Sequence, residues 1–199
     1  MGLSELREKY SWPKDRPSVP EVPNHGWFCG QNMKAILNAC GTLEIGDVFL
    51  ELGAWLGVST RYICEQTPCS VITIDHWEGS PEHFNMPDAK PYLPVLYDTF
   101  LTNCWHLREQ LTPVRETTID GIRAVKEFGI VPKVTYLDAA HDADSVFTDL
   151  IALYEAFPDI HVIGDDWTWT SVREGVFDFL YQNMSLNLRT DTTCYEIFT

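Results

Sequence analysis

Three carboxylates and a histidine fall at two places where apolar runs stop abruptly. One run is Val134-Thr-Tyr-Leu-Asp138-Ala-Ala-His141; the other is His161-Val-Ile-Gly-Asp165-Asp166-Trp167. Short apolar runs ending in acids have the pattern of parallel strands whose C-terminal ends deliver side chains into a site. Converging carboxylates repel and raise one another's pKa unless a cation sits among them. Oxygen donors favour a hard ion, Mg2+ or Mn2+, and a histidine beside it would be placed to act as a base. Each residue also has a plainer reading. Asp165-Asp166 can be turn residues, Asp138 a helix cap and His141 a helix-start residue, but the four together in this order favour a site. Asp142 and Asp144 read as first-turn acids suited to the helix dipole, and Asp149 as a structural residue on the same helix.

A second constellation lies earlier. Glu51-Leu-Gly53-Ala-Trp-Leu-Gly57-Val-Ser59-Thr60 follows a strand and opens a helix. Glycines there let a ligand approach the backbone, and the helix N-terminus offers unpaired N–H groups. The spacing is not the G-x-G-x-x-G of a pyrophosphate site, and an acid at this turn would repel a pyrophosphate but suit an ammonium group. The next strand ends at Asp75, where a carboxylate can grip a ribose diol or simply cap a turn.

For these residues to meet, strands and helices must alternate. Strands are predicted over 47–51, 70–75, 113–117, 133–138 and 160–164, with helices over 27–40, 57–66, 95–110, 120–128, 143–157 and 172–184. This order builds a parallel sheet covered on both faces. Two closing strands, 186–190 and 194–198, have a short connection and should form a hairpin, adding an antiparallel edge. Residues 11–26 carry Pro13, Pro17, Pro20 and Pro23, so the chain divides into an N-terminal arm or lid over 1–26 and a single domain over 27–199. The irregular segment 77–95 is a second lid candidate.

Glu51-x-Gly53-x-x-x-Gly57-x-Ser59, followed by Asp75-His76-Trp77, resembles the cofactor half of class I S-adenosylmethionine-dependent methyltransferases. The resemblance continues through Phe100-Leu-Thr-Asn103 to Asp138-x-x-His141 and Gly164-Asp165-Asp166. It is closest in kind to the group containing macrocin-type, metal-dependent O-methyltransferases, and it runs over residues 27–198. It implies a Rossmann-like α/β fold: a seven-stranded, mostly parallel sheet with one antiparallel strand and helices on both faces. S-adenosylmethionine would lie with its methionine part at Glu51 and Gly53 and its ribose at Asp75. Ala54, Gly57, Ser59, His76 and Asp138 would complete that side, and Thr117 and Thr118 would stand near the adenine, where the family usually has Asp-Ser. Asp138, Asp165 and Asp166 would bind Mg2+ or Mn2+, with His141 as the catalytic base. Trp77, His83 and Trp167 would face the acceptor, a small-molecule hydroxyl of a sugar, catechol or other diol. Trp55 is bulkier than the small residue common at its turn. Two other functions stay open: another metal-assisted enzyme of this fold, such as a hydroxylase-type relative, or a non-catalytic binding protein. Oxidative iron chemistry would want two histidines and one carboxylate, whereas this cluster has three acids and one histidine.

The bulk properties narrow the partners. A net charge of −15 disfavours nucleic acid and anionic membrane surfaces. The 45% hydrophobic content is that of a folded chain, and no apolar run approaches a membrane span. Six cysteines without a CxxC pair read as reduced, buried thiols of a soluble cytoplasmic protein. His106 reads as a packed or surface residue. Oligomeric state is open, a homo-oligomer being one option.

Overall fold

The strands of the computed structural model, which describes residues 2–199, are β1 (Val48–Leu52), β2 (Ser70–Asp75), β3 (Leu111–Arg115), β4 (Val134–Leu137), β5 (His161–Gly164), β6 (Asn187–Thr190) and β7 (Tyr195–Phe198). The helices are α1 (Leu3–Lys9), α2 (Gly30–Cys40), α3 (Val58–Gln66), α4 (Leu96–Cys104), α5 (Thr118–Glu127), α6 (Ala143–Ala156) and α7 (Thr170–Gln182). All seven strands join one sheet in the order β3-β2-β1-β4-β5-β7-β6. β1 to β5 pair in parallel, and β7 is antiparallel to both of its neighbours. The strands at the centre are buried along their whole length, as a sheet covered on both faces requires.

Alternation along each strand sorts the core into two layers. Val48, Leu50 and Leu52 join Leu6 and the helices α5, α6 and α7 on one face. Phe49, Val71 and Val134 join α2, α3 and α4 on the other. Glu51 follows the same period and therefore points with Phe49 toward α3.

The closing hairpin forms and adds an antiparallel edge to the sheet. β7 lies inside, against β5, and β6 takes the edge. Burial explains the choice: Tyr195, Glu196 and Ile197 are covered, whereas β6 is largely exposed. The Tyr195 ring occupies the space where a Cβ on Gly164 would sit.

Two helices fall short of their predicted extents by three residues or more. The helix expected over 27–40 begins at Gly30, leaving 27–29 outside it. The helix expected over 95–110 stops at Cys104, turns through a 3-10 helix at Trp105–Leu107, and gives way to β3 at Leu111. The Gln110 carboxamide fixes that break by donating to the carbonyls of Cys64, Thr67 and Cys69. Pro113 is tolerated within β3 because β3 is an edge strand.

Helix α1 was not foreseen. Leu6 is fully buried, and Arg7 donates to Thr112 Oγ1, Ser70 Oγ and the Gln110 carbonyl. Trp12 Nε1 donates to the Leu111 carbonyl, so the first residues cover the β3 edge. The arm then follows α4, where Arg16 donates to the Thr102 carbonyl and Asn103 exchanges hydrogen bonds with Val22. Of the described residues 2–28, only 25–28 reach the site. Met1 lies outside the described residues. Among those described, no helix is long and apolar enough to cross a membrane.

Candidate active site

The site lies beyond the C-terminal ends of β1, β2, β4 and β5, where a parallel sheet opens a crevice. The turn after β1 is forced close to the turn after β4. Gly53 has φ +84°, and a Cβ there would lie 1.8 Å from the Asp138 carbonyl oxygen. Asp138 N–H in turn donates to the Leu52 carbonyl at 2.8 Å. The two constellations read from the sequence thus meet in one place.

Asp75 organises the first of them. Its Oδ2 accepts from the N–H groups of Ala54 and Trp55 at 2.9 and 3.1 Å, and its Oδ1 from Trp77 N–H at 2.6 Å. Trp55 and Trp77 both have left-handed backbone, φ 49° and 51°, a conformation that non-glycine residues hold only when surroundings enforce it. The Asp75 carboxylate supplies that constraint and keeps unused accepting capacity on Oδ1 toward the cavity it lines.

Glu51 is placed differently from its expected contact with the methionine part. It is fully buried beneath α3, accepting from Ser59 Oγ at 2.7 Å and from the Thr60 and Thr73 hydroxyls at 2.6 Å each. Burial raises its pKa to about 7 against the lowering effect of those three hydroxyls, with the charge of Asp138 adding to the rise. It braces the turn rather than lining the crevice. The crevice walls take Gly53, Ala54 and Ser59, while Gly57 opens α3 behind them.

The crevice has two adjoining lobes of about 380 and 250 Å3. Asp75, His76, Thr117 and Thr118 line the larger one, together with Ile74, Ile119, Ala139 and Ala140. The smaller is framed by Phe28, Ser59, Glu82, Asp166 and Trp169, and Trp27 lines both. Trp55, His83, Asp138 and His141 belong to both. Among the described residues no lysine or arginine lines either lobe.

Where the lobes adjoin, Asp138 and His141 meet Asp166 of the smaller lobe, and the three bring one donor atom each within 4.8 Å of one another. His141 Nε2 lies 2.9 Å from Asp166 Oδ2 and 3.7 Å from Asp138 Oδ1. The nearer contact is not aligned as a hydrogen bond, so this buried nitrogen has no hydrogen-bond partner. Nδ1 sits 3.1 Å from Glu82 Oε1. Burial disfavours the imidazolium, yet Asp138 and Asp166 outweigh it and push the His141 pKa up to about 11. Burial raises the Asp138 pKa; His141 opposes the rise, and the charges of Asp165 and Asp166 add to it. Two carboxylates facing one imidazole fit a divalent cation, which would relieve their repulsion.

Asp165 stands outside this group. Its Oδ2 accepts from the Tyr136 hydroxyl at 2.6 Å, and its Oδ1 from Asp166 N–H at 2.6 Å. Asn32 Nδ2 donates to the same tyrosine oxygen at 3.0 Å. The carboxylate therefore turns into the sheet and holds Asp166, whose φ is +56°, in its left-handed turn. The group that the structure gathers is Asp138, His141 and Asp166, where the sequence suggested Asp138, Asp165 and Asp166.

The aromatic residues are also redistributed. Trp77 is only 2% exposed and packs on Tyr97 and Phe100, away from the acceptor side. Trp167 packs on Phe177 and Tyr195. Trp169 takes the place expected of Trp167, with its ring centroid 4.9 Å from that of His141. The tight turn at Asp166 causes the exchange, since it sends Trp167 N–H to the Thr193 carbonyl and turns the chain back toward His141 at Trp169. His83 lies as expected at the cavity, stacked on Trp27 with an interplanar angle of 7°, and burial lowers its pKa.

Glu82, Trp27 and Asp149 are wall residues that sequence reading missed. Trp27 was assigned to a helix and Asp149 to a structural role, while Glu82 had no local signal within an irregular segment.

No protein-family model matches the chain, and a comparison with curated proteins finds no significant match. Solved structures do match. An O-methyltransferase from Bacillus cereus in complex with S-adenosylhomocysteine superposes with a TM-score of 0.61 at 15% identity, over 89% of this chain and 84% of that one. TomG, an O-methyltransferase from Streptomyces achromogenes involved in tomaymycin synthesis and bound to S-adenosylmethionine, gives 0.61 at 11% identity, over 97% and 85%. A precorrin 8W decarboxylase from Methanobacterium thermoautotrophicum also gives 0.61 at 11% identity, over 90% and 95%. At such identities the likeness is one of fold, and the third case shows that this fold does not choose the reaction by itself.

Proposed function

Since the chain has the class I methyltransferase fold, we propose that it is an S-adenosylmethionine-dependent O-methyltransferase acting on a small-molecule hydroxyl with the help of a divalent metal. The observation that carries this reading is the meeting of Asp166, from the smaller lobe, with Asp138 and His141, which line both. The larger lobe has the requirements of an adenosyl group: a ribose-accepting carboxylate at Asp75 and an apolar slot between Ile74, Ile119 and Ala139. The smaller is left for the acceptor. When bound, S-adenosylmethionine supplies an electrophilic methyl on sulfur, and Mg2+ or Mn2+ supplies a charge that eases deprotonation of a hydroxyl.

The chain's own residues do the remainder. Asp138 and Asp166 would hold the metal, with His141 beside it and outside its ligands. Once the charge of those carboxylates is compensated, His141 loses the cause of its raised pKa and can accept a proton at Nε2. Its Nδ1–H donates to Glu82, which fixes the tautomer that leaves Nε2 free. Trp27, Trp55 and Trp169 exclude water, and the turn at Gly53 holds the two lobes in line.

The absence of lysine and arginine from both walls supports an uncharged or cationic acceptor over nucleic acid, lipid headgroups or phosphate esters. Residues 25–28 and the 3-10 helix Pro81–Asn85 would serve as lids, and the six free thiols suit a soluble protein of the cytoplasm.

Calorimetric titration with S-adenosylhomocysteine, with and without Mg2+, tests the reading. Binding of the product, followed by chelator-sensitive methylation within a panel of catechols and sugar diols, is the expected outcome. Failure of the wild type to bind S-adenosylhomocysteine under any condition would sink it.

A further inference from the structure

Asp149 has no part in the site as derived so far, yet it lines the larger lobe while being only 4% exposed. It projects from α6 beside Ser145 and Thr148, residues one helical turn apart or adjacent on the cavity face. Thr118 Oγ1 donates to its Oδ1 and is its only hydrogen-bond donor among the described residues. Glu51, equally buried, receives three. A buried carboxylate needs several donors, so Asp149 is under-supplied. Burial accordingly raises its pKa to about 6, against the hydrogen bond from Thr118.

The surroundings state what donor would suit. The lobe is apolar along Ile74, Ile119, Ala139 and Ala140, and Thr118 with Asp149 adds a polar patch to it. A flat apolar slot with an accepting carboxylate in its wall suits a planar ring bearing an N–H group. Of the other acids that line this lobe, Asp75 is held by three backbone N–H groups and Asp138 faces His141, whereas Asp149 is buried in the wall beside Thr118 with one donor. We propose that Asp149 reads the exocyclic amine of the cofactor's adenine, setting the preference for a 6-amino over a 6-oxo purine. This rests on the methyltransferase reading above.

The experiment compares S-adenosylhomocysteine with its 6-oxo counterpart, S-inosylhomocysteine, by calorimetry on the full chain. Wild type should prefer the amino form on the order of a hundredfold, the worth of a hydrogen bond to a charged group plus the repulsion of a 6-oxo oxygen. Asp149→Asn can accept from the amine or donate to the oxo group, and should narrow the preference to within about threefold. Thr118→Val removes the protein's own donor and leaves the carboxylate, so the preference should persist. If Asp149 merely ties α6 to α5 through Thr118, both variants will change binding alike, and that result overturns the proposal. An unchanged preference in Asp149→Asn overturns it as well. Should Asp149→Asn fail to fold by thermal melting, persistence of the preference in Thr118→Val supports the proposal and its loss there overturns it. Wild type that binds neither compound is a distinguishable outcome: it removes the methyltransferase reading itself, and this inference with it.

Discussion

His141 is the point where opposing effects are most evenly matched. Desolvation alone would lower its pKa, but Asp138 and Asp166 bring it to about 11, so the imidazole is a cation in their presence. A base at neutral pH therefore requires their charge to be compensated, which ties any base role to a metal. We expect Asp166→Asn to weaken Mn2+ binding at least tenfold, read by electron paramagnetic resonance of free Mn2+, because one of two carboxylate donors is lost. His141→Ala should leave S-adenosylhomocysteine affinity unchanged while slowing transfer by about a hundredfold or more, the usual worth of a positioned base. Full activity in that variant would exclude the role. Asp165 illustrates the other kind of acid. It holds Tyr136 and the Asp166 backbone and stands outside the Asp138, His141 and Asp166 group, so Asp165→Asn should reduce Mn2+ affinity less than Asp166→Asn does.

Among the elements, the turns after β1 and β4 limit what the site can tolerate. Gly53→Ala would drive a Cβ into the Asp138 carbonyl from a backbone at φ +84°, two faults that no side-chain movement relieves. The expected result is loss of S-adenosylhomocysteine binding together with a lowered melting temperature. Helix α1 offers the contrast. Leu6 is buried against the layer built from β1, β2 and α5, on a part of the fold remote from the lobes. Leu6→Ala should cost about 2–5 kcal/mol in urea unfolding, as large-to-alanine core changes do, with cofactor affinity retained. Asn103 joins arm to site, since its amide donates to the carbonyls of both Val22 and Leu56. That double bond gives the Phe100-Leu-Thr-Asn103 segment a physical task, fastening the N-terminal arm onto the turn before α3.

For the molecule as a whole, buried ionisable groups set how stability responds to pH. Glu51 goes from an ordinary value of 4.5 to about 7, so between these limits the folded state holds a proton that the unfolded chain has released. Its stabilising contribution is complete below 4.5 and is lost as pH rises through 7, an effect on the order of 3 kcal/mol. Asp149, raised to about 6, acts in the same direction. Urea unfolding at pH 5 and pH 8 should show lower stability at the higher pH, and Glu51→Gln should flatten the difference; an unaltered slope would show that Glu51 is not its source. The alternation of apolar strands with helices determined the sheet, its parallel order and the crevice at its C-terminal edge, because burial on two faces leaves a periodic trace along the chain. The order Glu51, Gly53, Gly57, Asp75, Asp138, His141, Asp166 likewise determined which turns would meet. Which way each side chain faces was left to the tertiary structure. A single left-handed residue at Asp166 turned Asp165 inward and exchanged Trp167 for Trp169 at the wall, and the pleat sent Glu51 beneath α3. Glu82 and Asp149 reach the crevice only through the packing of a 3-10 helix and of α6 against distant strands. Contacts between residues far apart in the chain have no local periodicity, so only the folded arrangement could assign them.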